Sequence, residues 1–421
     1  MARDCEVVTR EISRDPYANG PGQYASEVEP DSASWGRKVV AVFQSDRIFD
    51  GGAANMGFAV SSDSGRTWKR GFLPGLTTWS RPKGTWPRVS DPTVAYDSVH
   101  GVWLVVSLAF AQKASAFLVS RSRDGLHWQL PVTTNQRPGF LLDKQWLTCD
   151  NGASSPFRGR CYLSYDDLGT AEIETQVSAD GGVTWSAPVA APGAPGRQSI
   201  RGEGAPGVQP VVRPDGAVVI PYFDNTRMAE IRSLDGGATW LPATPVAPVR
   251  YTGRPGLRVG PLPSAEVDGG GTIYLAWADC STRSGCLSND LRIARSADGV
   301  TWDTITVPTR APDVELPGLA ADPTASGRVA VAYYSVNGNS LNVYFVASKN
   351  RGATWTKPQR LSSRSLLRSW IAATSQGSMV GDYISTSFAG GRAVPVFALA
   401  LKPLRRHLRE SMFATSLATP H

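Results

Sequence analysis

The sequence predicts an all-β protein built from a repeated unit of short strands, and three observations support this fold class. The 421 residues include 42 Gly and 31 Pro, spread along the chain, and charged residues make up only 19%. Such a composition is typical of many short strands joined by turns, and it excludes a disordered chain or a coiled coil. The third observation is a tryptophan-anchored motif that recurs six times.

The repeated motif reads Ser-x-Asp-x-Gly-x-Thr-Trp, complete in three copies and altered in three. Its tryptophans are Trp68, Trp128, Trp185, Trp240, Trp302 and Trp355, spaced 60, 57, 55, 62 and 53 residues apart. At these positions Asp can accept hydrogen bonds from backbone amides, Gly can take a positive φ, and Trp can fill the space between strands. We therefore predict a structural role for the motif aspartates Asp63, Asp180 and Asp235.

The motif resembles the Asp-box, or BNR repeat, of the sialidase superfamily, and the resemblance covers almost the whole chain. It implies a β-propeller of four-stranded blades. In the second unit, alternating or apolar segments predict strands over 91–97, 102–110, 115–120 and 127–130. Counterparts of the first of these strands are predicted at six other places: 27–31, 146–150, 209–215, 264–268, 318–322 and 382–387.

Seven first strands favour seven blades, with six, the number typical of sialidases, as the alternative. The last blade, within 380–418, has three strands of its own. The alternating segment 5–11 could supply the fourth and close the ring, which removes exposed sheet edges. The prediction is one propeller domain over residues 1–421.

Candidate catalytic residues precede or begin the first strands, on the face opposite the motif turns. Sialidases use a tyrosine nucleophile activated by a glutamate, because a phenol with a pKa near 10 needs such a neighbour, and an aspartate as acid/base. By position, the resemblance implies Tyr383 as nucleophile, Glu266 or Glu315 as its partner, and Asp91 as acid/base. The alternative for each residue is a structural role in capping loops or bonding blades.

Candidate substrate-binding residues are arginines, three of which follow second strands while two come from the other loops of this face. Arg47, Arg227 and Arg283 could hold a substrate carboxylate, with Arg88 and Arg258 as substitutes. Asp143 and Asp382 complete the predicted binding set. The alternative is that these arginines form salt bridges with aspartates of their own blade. The sialidase motif Phe/Tyr-Arg-Ile-Pro is absent, since the corresponding region reads Tyr24-Ala-Ser-Glu-Val-Glu-Pro30.

Charge and motifs exclude several function classes. The net charge of +7 comes from scattered arginines rather than a basic stripe, which argues against nucleic-acid binding and is compatible with an acidic substrate. There is no Gly-x-Ser-x-Gly elbow, Walker loop, HExxH or dinucleotide fingerprint. No apolar run is long enough to span a membrane, and we expect a soluble monomer.

The five cysteines predict an oxidising compartment. Cys149 and Cys161 are 12 residues apart, Cys280 and Cys286 are 6 apart, and Cys5 stands alone as a candidate free thiol. Two local disulfides would place the protein outside the cytoplasm. The first residues lack the apolar run of a signal peptide, so we expect a secreted protein whose signal peptide is not included in this sequence.

The resemblance therefore implies an extracellular glycoside hydrolase of exo-sialidase type, which removes a terminal, acidic sugar from a glycan at the central mouth. The alternatives are a non-catalytic propeller that binds a glycan or protein, and a polysaccharide lyase. No cofactor is expected. A structural calcium ion is the alternative, with Asp166, Asp167, Asp279 and Asp290 as oxygen donors.

Overall fold

The computed structural model describes residues 8–170, 172–195, 207–405 and 407–420, without the side chains of 192–195. The predicted all-β class is confirmed: these ranges contain no α-helix and only two short 3-10 turns, Ser284–Cys286 and Arg368–Trp370. No helix within them is long and apolar enough to cross a membrane. Cys5, with the rest of 5–7, lies outside the described residues.

The strands form antiparallel sheets in which sequence neighbours pair. After β1 (Thr9–Glu11), an eight-stranded sheet contains two groups of four, joined by the pair Ala53 and Val89. The first group is β2 (Glu27–Trp35), β3 (Lys38–Arg47), β4 (Ala53–Ser61) and β5 (Lys69–Phe72). The second group is β6 (Arg88–Asp97), β7 (Val102–Ala111), β8 (Ala114–Ser122) and β9 (Val132–Pro138).

Three four-stranded sheets follow along the chain. The first contains β10 (Leu142–Cys149), β11 (Cys161–Asp167), β12 (Glu172–Ser178) and β13 (Val189–Pro195). The next contains β14 (Val211–Val212), β15 (Val218–Phe223), β16 (Arg227–Ser233) and β17 (Thr244–Pro248). The third contains β18 (Ser264–Val267), β19 (Ile273–Asp279), β20 (Asp290–Ser296) and β21 (Asp303–Val307).

The remaining strands complete three more sheets. One contains β22 (Val314–Ala321), β23 (Val329–Asn337), β24 (Ser340–Ser348), β25 (Gln359–Arg360) and β26 (Leu366–Leu367). A two-stranded sheet contains β27 (Ala372–Thr374) and β28 (Gly377–Met379). The last contains β29 (Ser385–Ala389), β30 (Arg392–Ala400), β31 (Glu410–Thr415), β32 (Leu417–Ala418) and, from the other end of the chain, β1.

The two ends of the chain share a sheet. β1 pairs antiparallel with β31, with Thr9 opposite Thr415 and Glu11 opposite Phe413. This confirms the predicted pairing of the N-terminal segment with the last unit, for the part of 5–11 that is described. Four-stranded antiparallel sheets, each begun by a strand that contacts the first strand of its neighbour, are the architecture of a β-propeller.

One predicted strand is displaced. The sequence predicts a strand over 127–130, but β9 begins at Val132. Trp128 turns inward after the motif turn and packs against Phe58, with ring centroids 5.9 Å apart. The fourth strand of this sheet therefore begins five residues after the predicted start at residue 127.

The motif turn has the predicted hydrogen bonds. Asp63 Oδ1 accepts the backbone amides of Arg66 and Thr67 at 3.0 and 2.9 Å, and the Thr67 hydroxyl donates to Oδ2 at 2.7 Å. Slight burial raises the pKa of Asp63, but these hydrogen bonds outweigh it and bring the pKa down to about 2. The geometry is that of a structural aspartate, and Asp180 and Asp235 repeat it.

We expect Trp240→Ala to lower the free energy of unfolding by about 3–5 kcal/mol. Trp240 is 6% exposed and packs in the cluster that contains Tyr162 and Ile220, between neighbouring sheets. The control is Trp35→Ala, which removes a tryptophan that is 47% exposed and should lose about 1 kcal/mol or less. Urea denaturation measures both values, and equal losses would contradict the role of Trp240 as a plug between sheets.

Both predicted disulfides are formed. Cys149 and Cys161 lie opposite each other on β10 and β11, and Cys280 and Cys286 close a short loop after β19. The bonds close short loops, with sequence separations of 12 and 6, so each restricts the unfolded chain less than a disulfide across a long loop would.

Candidate functional site

Four first strands carry a bulge near the start, on the face opposite the motif turns. In each, two residues stand outside the pairing, and the first of them has a left-handed φ: 55° at Glu29, 48° at Asp91, 47° at Lys144 and 49° at Leu316. A bulge removes a side chain from the regular alternation and re-aims it, and such strain in a non-glycine residue often marks a functional site. Three of these four residues have ionisable side chains.

Asp382 reaches the same place through a close approach of two backbones. The preceding Gly381 has a φ of 148°, and a Cβ on it would lie 2.9 Å from the Glu29 amide nitrogen. Only glycine leaves room there. The segment before β29 therefore passes against the β2 bulge.

Lys144 connects carboxylates from two other parts of the chain. Its Nζ lies 3.0 Å from Asp91 Oδ1 and 2.8 Å from Asp382 Oδ2. Arg258 donates to both oxygens of Asp382, with Nε 2.7 Å from Oδ1. We call Glu29, Asp91, Lys144, Arg258, Asp382 and Tyr383 the mouth cluster.

The two ends of these ion pairs shift each other's pKa in opposite directions. Burial alone would raise the pKa of Asp382, but Arg258 and Lys144 outweigh it and hold that pKa well below its usual value. Burial alone would lower the pKa of Lys144, but Asp382 and Asp91 outweigh it and raise that pKa. The ion pairs therefore remain charged at neutral pH.

Tyr383 lies in the mouth cluster without a carboxylate partner for its hydroxyl. It is 8% exposed, and its hydroxyl donates to the backbone carbonyl of Pro92 at 3.2 Å. Its ring lies below Lys144, with Nζ 5.2 Å from the ring centroid. Burial raises the pKa of Tyr383, and the nearby carboxylates of Glu29 and Asp91 add to this effect. The structure does not pair Tyr383 with either of its predicted partners, Glu266 and Glu315.

Glu315 instead bonds to a different tyrosine. The Tyr251 hydroxyl donates to Glu315 Oε2 at 3.0 Å, and the Asn289 amide donates to Oε1 at 3.0 Å. Tyr251 is half-buried and Glu315 is fully buried. Burial raises the pKa of the phenol, and the Glu315 carboxylate adds to this effect. Sequence analysis missed Tyr251, because it lies in the long connection before β18 and belongs to no repeated pattern.

Glu266 makes no side-chain hydrogen bond or ion pair with another described residue. It is half-buried at the third position of β18. Burial raises its pKa to about 8, and Asp31 adds to this effect. Asp31 is itself buried, and its carboxylate accepts the Val94 amide at 2.8 Å.

The five predicted arginines divide into two groups. Arg258 belongs to the mouth cluster and Arg47 lies beside it; Arg47 is 2% exposed and its Nη1 donates to the Gly52 carbonyl at 2.8 Å. The other three form local ion pairs: Arg88 with Asp50, Arg227 with Asp224 and Arg283 with Asp290, at 2.8, 2.6 and 2.5 Å. Arg227 and Arg283 thus form salt bridges with aspartates of their own sheet, which is the alternative stated for them in the sequence analysis.

Asp143 lies beside Lys144 and directly opposite Asp166 of β11. It is half-buried, whereas Asp166 is fully buried. Burial raises the pKa of Asp143 to about 7, with a further contribution from Asp91. The sequence did not predict this pair, because Asp143 was expected to bind substrate and Asp166 was expected to be an oxygen donor for calcium.

The oxygen donors considered for calcium are engaged elsewhere or too few. Asp167 accepts the amides of Gly169 and Thr170, and Asp290 pairs with Arg283. Across the described ranges, no group of three or more His, Cys, Asp or Glu side chains could hold a metal ion.

We expect Glu27→Gln to change how stability depends on pH. Glu27 is fully buried, and burial raises its pKa from 4.5 to about 8 even though the Ser13 hydroxyl donates to it. The folded protein thus holds a proton that the unfolded chain releases, so this group stabilises the fold below about pH 4.5 and loses that contribution as pH rises to about 8.

The difference in unfolding free energy between wild type and Glu27→Gln should therefore change by up to about 1.4 kcal/mol per pH unit between pH 5 and 8. Urea denaturation at each pH measures it. The control is Asp63→Asn, because the lowered pKa of Asp63 affects stability only below about pH 4. Parallel profiles for wild type and Glu27→Gln would contradict a protonated Glu27.

Comparison with known proteins identifies the fold. The chain matches no protein-family model and no curated protein sequence. Among solved structures, it is similar to a PL25 ulvan lyase, with 12% identity, coverage of 98% of this chain and 96% of that one, and a TM-score of 0.56. It is also similar to the phage phi92 endosialidase, with 11% identity, coverage of 99% and 69%, and a TM-score of 0.51.

A third similar structure is the Niastella koreensis GH74 enzyme, with 19% identity, coverage of 92% of this chain and a TM-score of 0.50. The chain spans only 52% of that enzyme's length. It spans 66% of a Hadza microbial sialidase, at 14% identity and a TM-score of 0.49. At these identities the comparisons show the fold alone: a propeller of the kind found in sialidases and related glycosidases and lyases.

Proposed function

We propose that the protein is a glycoside hydrolase that binds a terminal acidic sugar at the mouth cluster and hydrolyses its glycosidic bond. The observation that carries this proposal is the convergence of Arg47, Lys144 and Arg258, which are far apart in sequence, on one set of carboxylates. Residues 47, 144 and 258 belong to three different sheets or their connections, and a fold needs no such convergence for its stability.

Arg47 is the cation best suited to a substrate carboxylate. It is buried, and within the described part of the chain its Nε has no hydrogen-bond partner and its guanidinium forms no direct ion pair. Burial lowers its pKa, which is the sign of a charge that lacks full compensation. A ligand carboxylate would compensate it through the planar guanidinium.

The nucleophile in this proposal is Tyr251, activated by Glu315. The sialidase resemblance requires a phenol in contact with a carboxylate, and Tyr251 with Glu315 supplies one at 3.0 Å. Its proton would pass to Glu315 as the phenolate oxygen attacks the anomeric carbon. The predicted nucleophile Tyr383 remains the competing assignment, with its hydroxyl on a backbone carbonyl instead.

For the whole chain we propose one secreted domain: a ring of seven blades closed by β1. The support is that contacts join the first strands of successive sheets in turn: β2, β6, β10, β14, β18, β22, β29 and again β2. Ser32 and Ser385 hydrogen-bond across the last of these contacts at 2.9 Å. The two disulfides support an extracytoplasmic location.

The test of function is release of an aryl leaving group from a panel of glycosides, led by an α-sialoside and including uronides and neutral sugars. Turnover of an acidic member supports the proposal, and Arg47→Met should then raise KM for it more than for a neutral analogue. Turnover of neutral members alone would contradict the acidic substrate. An unsaturated uronide product would indicate a lyase, and a folded but inactive protein would indicate a binding propeller.

A further inference from the structure

The buried carboxyl pair of Asp143 and Asp166 is the feature with the least structural explanation. The two residues are directly opposite on β10 and β11, so their side chains extend from the same face of the sheet and lie close together. Neither carboxylate oxygen of Asp166 makes a hydrogen bond of ordinary geometry within the described ranges, although the Gly207 amide is near enough to lower its pKa slightly. A fully buried carboxyl group without such partners is expensive to ionise.

Three charged groups around the pair influence its ionisation. Asp91 of β6 disfavours ionisation of both members; Lys144, next to Asp143, favours it; and Arg258, from the connection before β18, favours ionisation of Asp143. Lys144 is already paired with Asp91 and Asp382, and Arg258 with Asp382. The pair therefore lies beside the mouth cluster, and no cation among the described residues is paired with it alone.

Two neighbouring buried carboxyl groups cannot both ionise easily, so together they retain a proton. Burial raises the pKa of Asp166 well above its usual value, with Asp143 adding to the effect. Of the two, only Asp143 is partly exposed. By contrast, the predicted acid/base Asp91 already has a cationic partner, because its Oδ1 lies 3.0 Å from Lys144 Nζ.

We propose that Asp143 is the proton donor to the leaving group and that Asp166 is the positioning residue that keeps the proton on the pair. This inference rests on the proposed hydrolase function. The Asp143 O–H bond breaks and the proton moves to the glycosidic oxygen, which takes the electron pair of the breaking bond to the anomeric carbon. The alcohol leaves as the Tyr251 oxygen bonds to that carbon and its proton passes to Glu315. Water then attacks the carbon and gives a proton to Asp143, while the bond to Tyr251 breaks and the Tyr251 oxygen takes back the proton from Glu315.

The first test is the pH dependence of kcat/KM on whichever aryl glycoside of the panel is turned over. A proton donor must be protonated, so wild-type activity should fall as pH rises above about 7. In wild type, loss of the last proton leaves two carboxylates side by side; Asp166→Asn removes that like-charge penalty, so the fall should move to lower pH while activity at low pH is retained. An unchanged profile would overturn the role of Asp166.

The second test varies the leaving group. Asp143→Asn should lose roughly 10²- to 10⁴-fold on a glycoside with a poor leaving group such as an alkyl alcohol, and far less on an activated dinitrophenyl glycoside that needs no proton. Equal losses on both would overturn the role of Asp143. The matched control is Asp167→Asn, which changes the next carboxylate of β11, one that accepts amides and lies near Arg137.

A third measurement does not depend on activity. Infrared difference spectra between wild type and Asp166→Asn should show the loss of a protonated carboxyl group at pH 6, where an ordinary aspartate is ionised. Its absence would overturn the shared proton. A folded wild-type protein that is inactive on the whole panel would instead contradict the proposed function, and with it the catalytic role, whatever the spectrum shows.

Discussion

Tyr251→Phe is expected to reduce kcat/KM by roughly 10³-fold or more, while leaving the melting temperature nearly unchanged. The substitution removes one oxygen, the one that donates to Glu315 at 3.0 Å. If that oxygen attacks the anomeric carbon, no other atom of this residue can replace it. The loss should appear in kcat, with little change in KM, because the phenol acts in the transition state rather than in ground-state binding.

The matched control is Tyr383→Phe, which also removes a single phenolic oxygen. Among the described residues its hydroxyl bonds to the Pro92 carbonyl alone, so we expect less than about a tenfold loss. Steady-state kinetics on the active glycoside, with thermal unfolding of each variant, distinguish the two. If Tyr383→Phe abolishes turnover and Tyr251→Phe does not, then the nucleophile is Tyr383 and the contact between Tyr251 and Glu315 is structural.

Glu315→Gln separates the base from the nucleophile. The amide keeps the size of the side chain but accepts a proton poorly, so turnover should fall. The pH profile of kcat/KM should also lose the limb that reports ionisation of a carboxylate base. Asn289 would still hold the side chain in place through its remaining oxygen. Full activity in this variant would contradict a proton transfer from Tyr251 to Glu315.

The repeated fold could be predicted because its information is local. Asp63, Gly65 and Trp68 act within one turn of eight residues, and the same turn recurs with its spacing intact. Alternating or continuous apolar residues predicted the first strands, and the alternating N-terminal segment predicted the pairing of β1 with β31. Each of these inferences needs only neighbours in sequence or a count of repeats.

The site could be predicted only as a set of candidates. Asp91, Asp143, Asp382 and Arg258 were expected on the right face, but their pairing through Lys144 depends on how three distant segments approach. A local pattern cannot distinguish an arginine that pairs within its own sheet from one that reaches the mouth, and Arg227 illustrates the first case.

Two of the site's bulges do have a signal in the sequence. An acidic residue followed by proline occurs in two first strands, at Glu29 and Asp91, and both residues occupy bulges with positive φ. Proline cannot donate to a strand ladder, so within a strand it marks an edge or a bulge. Lys144, by contrast, occupies an equivalent bulge before Gln145, where no proline marks it.

Lys144→Met is expected to lower the free energy of unfolding by about 3–5 kcal/mol, the range for breaking a buried ion pair by removing one partner. The Lys144 side chain is 9% exposed, and its partners Asp91 and Asp382 are 8% and 9% exposed. Asp382 keeps Arg258 as a second partner, whereas Asp91 loses its only ion pair among the described residues. The uncompensated charge is therefore that of Asp91.

A double-mutant cycle tests this assignment by urea denaturation at pH 7. Asp91→Asn in the Lys144→Met background should recover part of the loss, because the second substitution removes the charge that the first left unpaired.

The surface control is Arg88→Met, which breaks the pair with Asp50; there the side chains are 26% and 67% exposed, and the loss should be about 1 kcal/mol or less. If Lys144→Met were no more destabilising than Arg88→Met, water would have to reach Asp91 freely, and the mouth cluster could not exclude solvent from a bound sugar. If the losses of the two single variants at Lys144 and Asp91 simply added, the ion pair between them would contribute nothing to the fold.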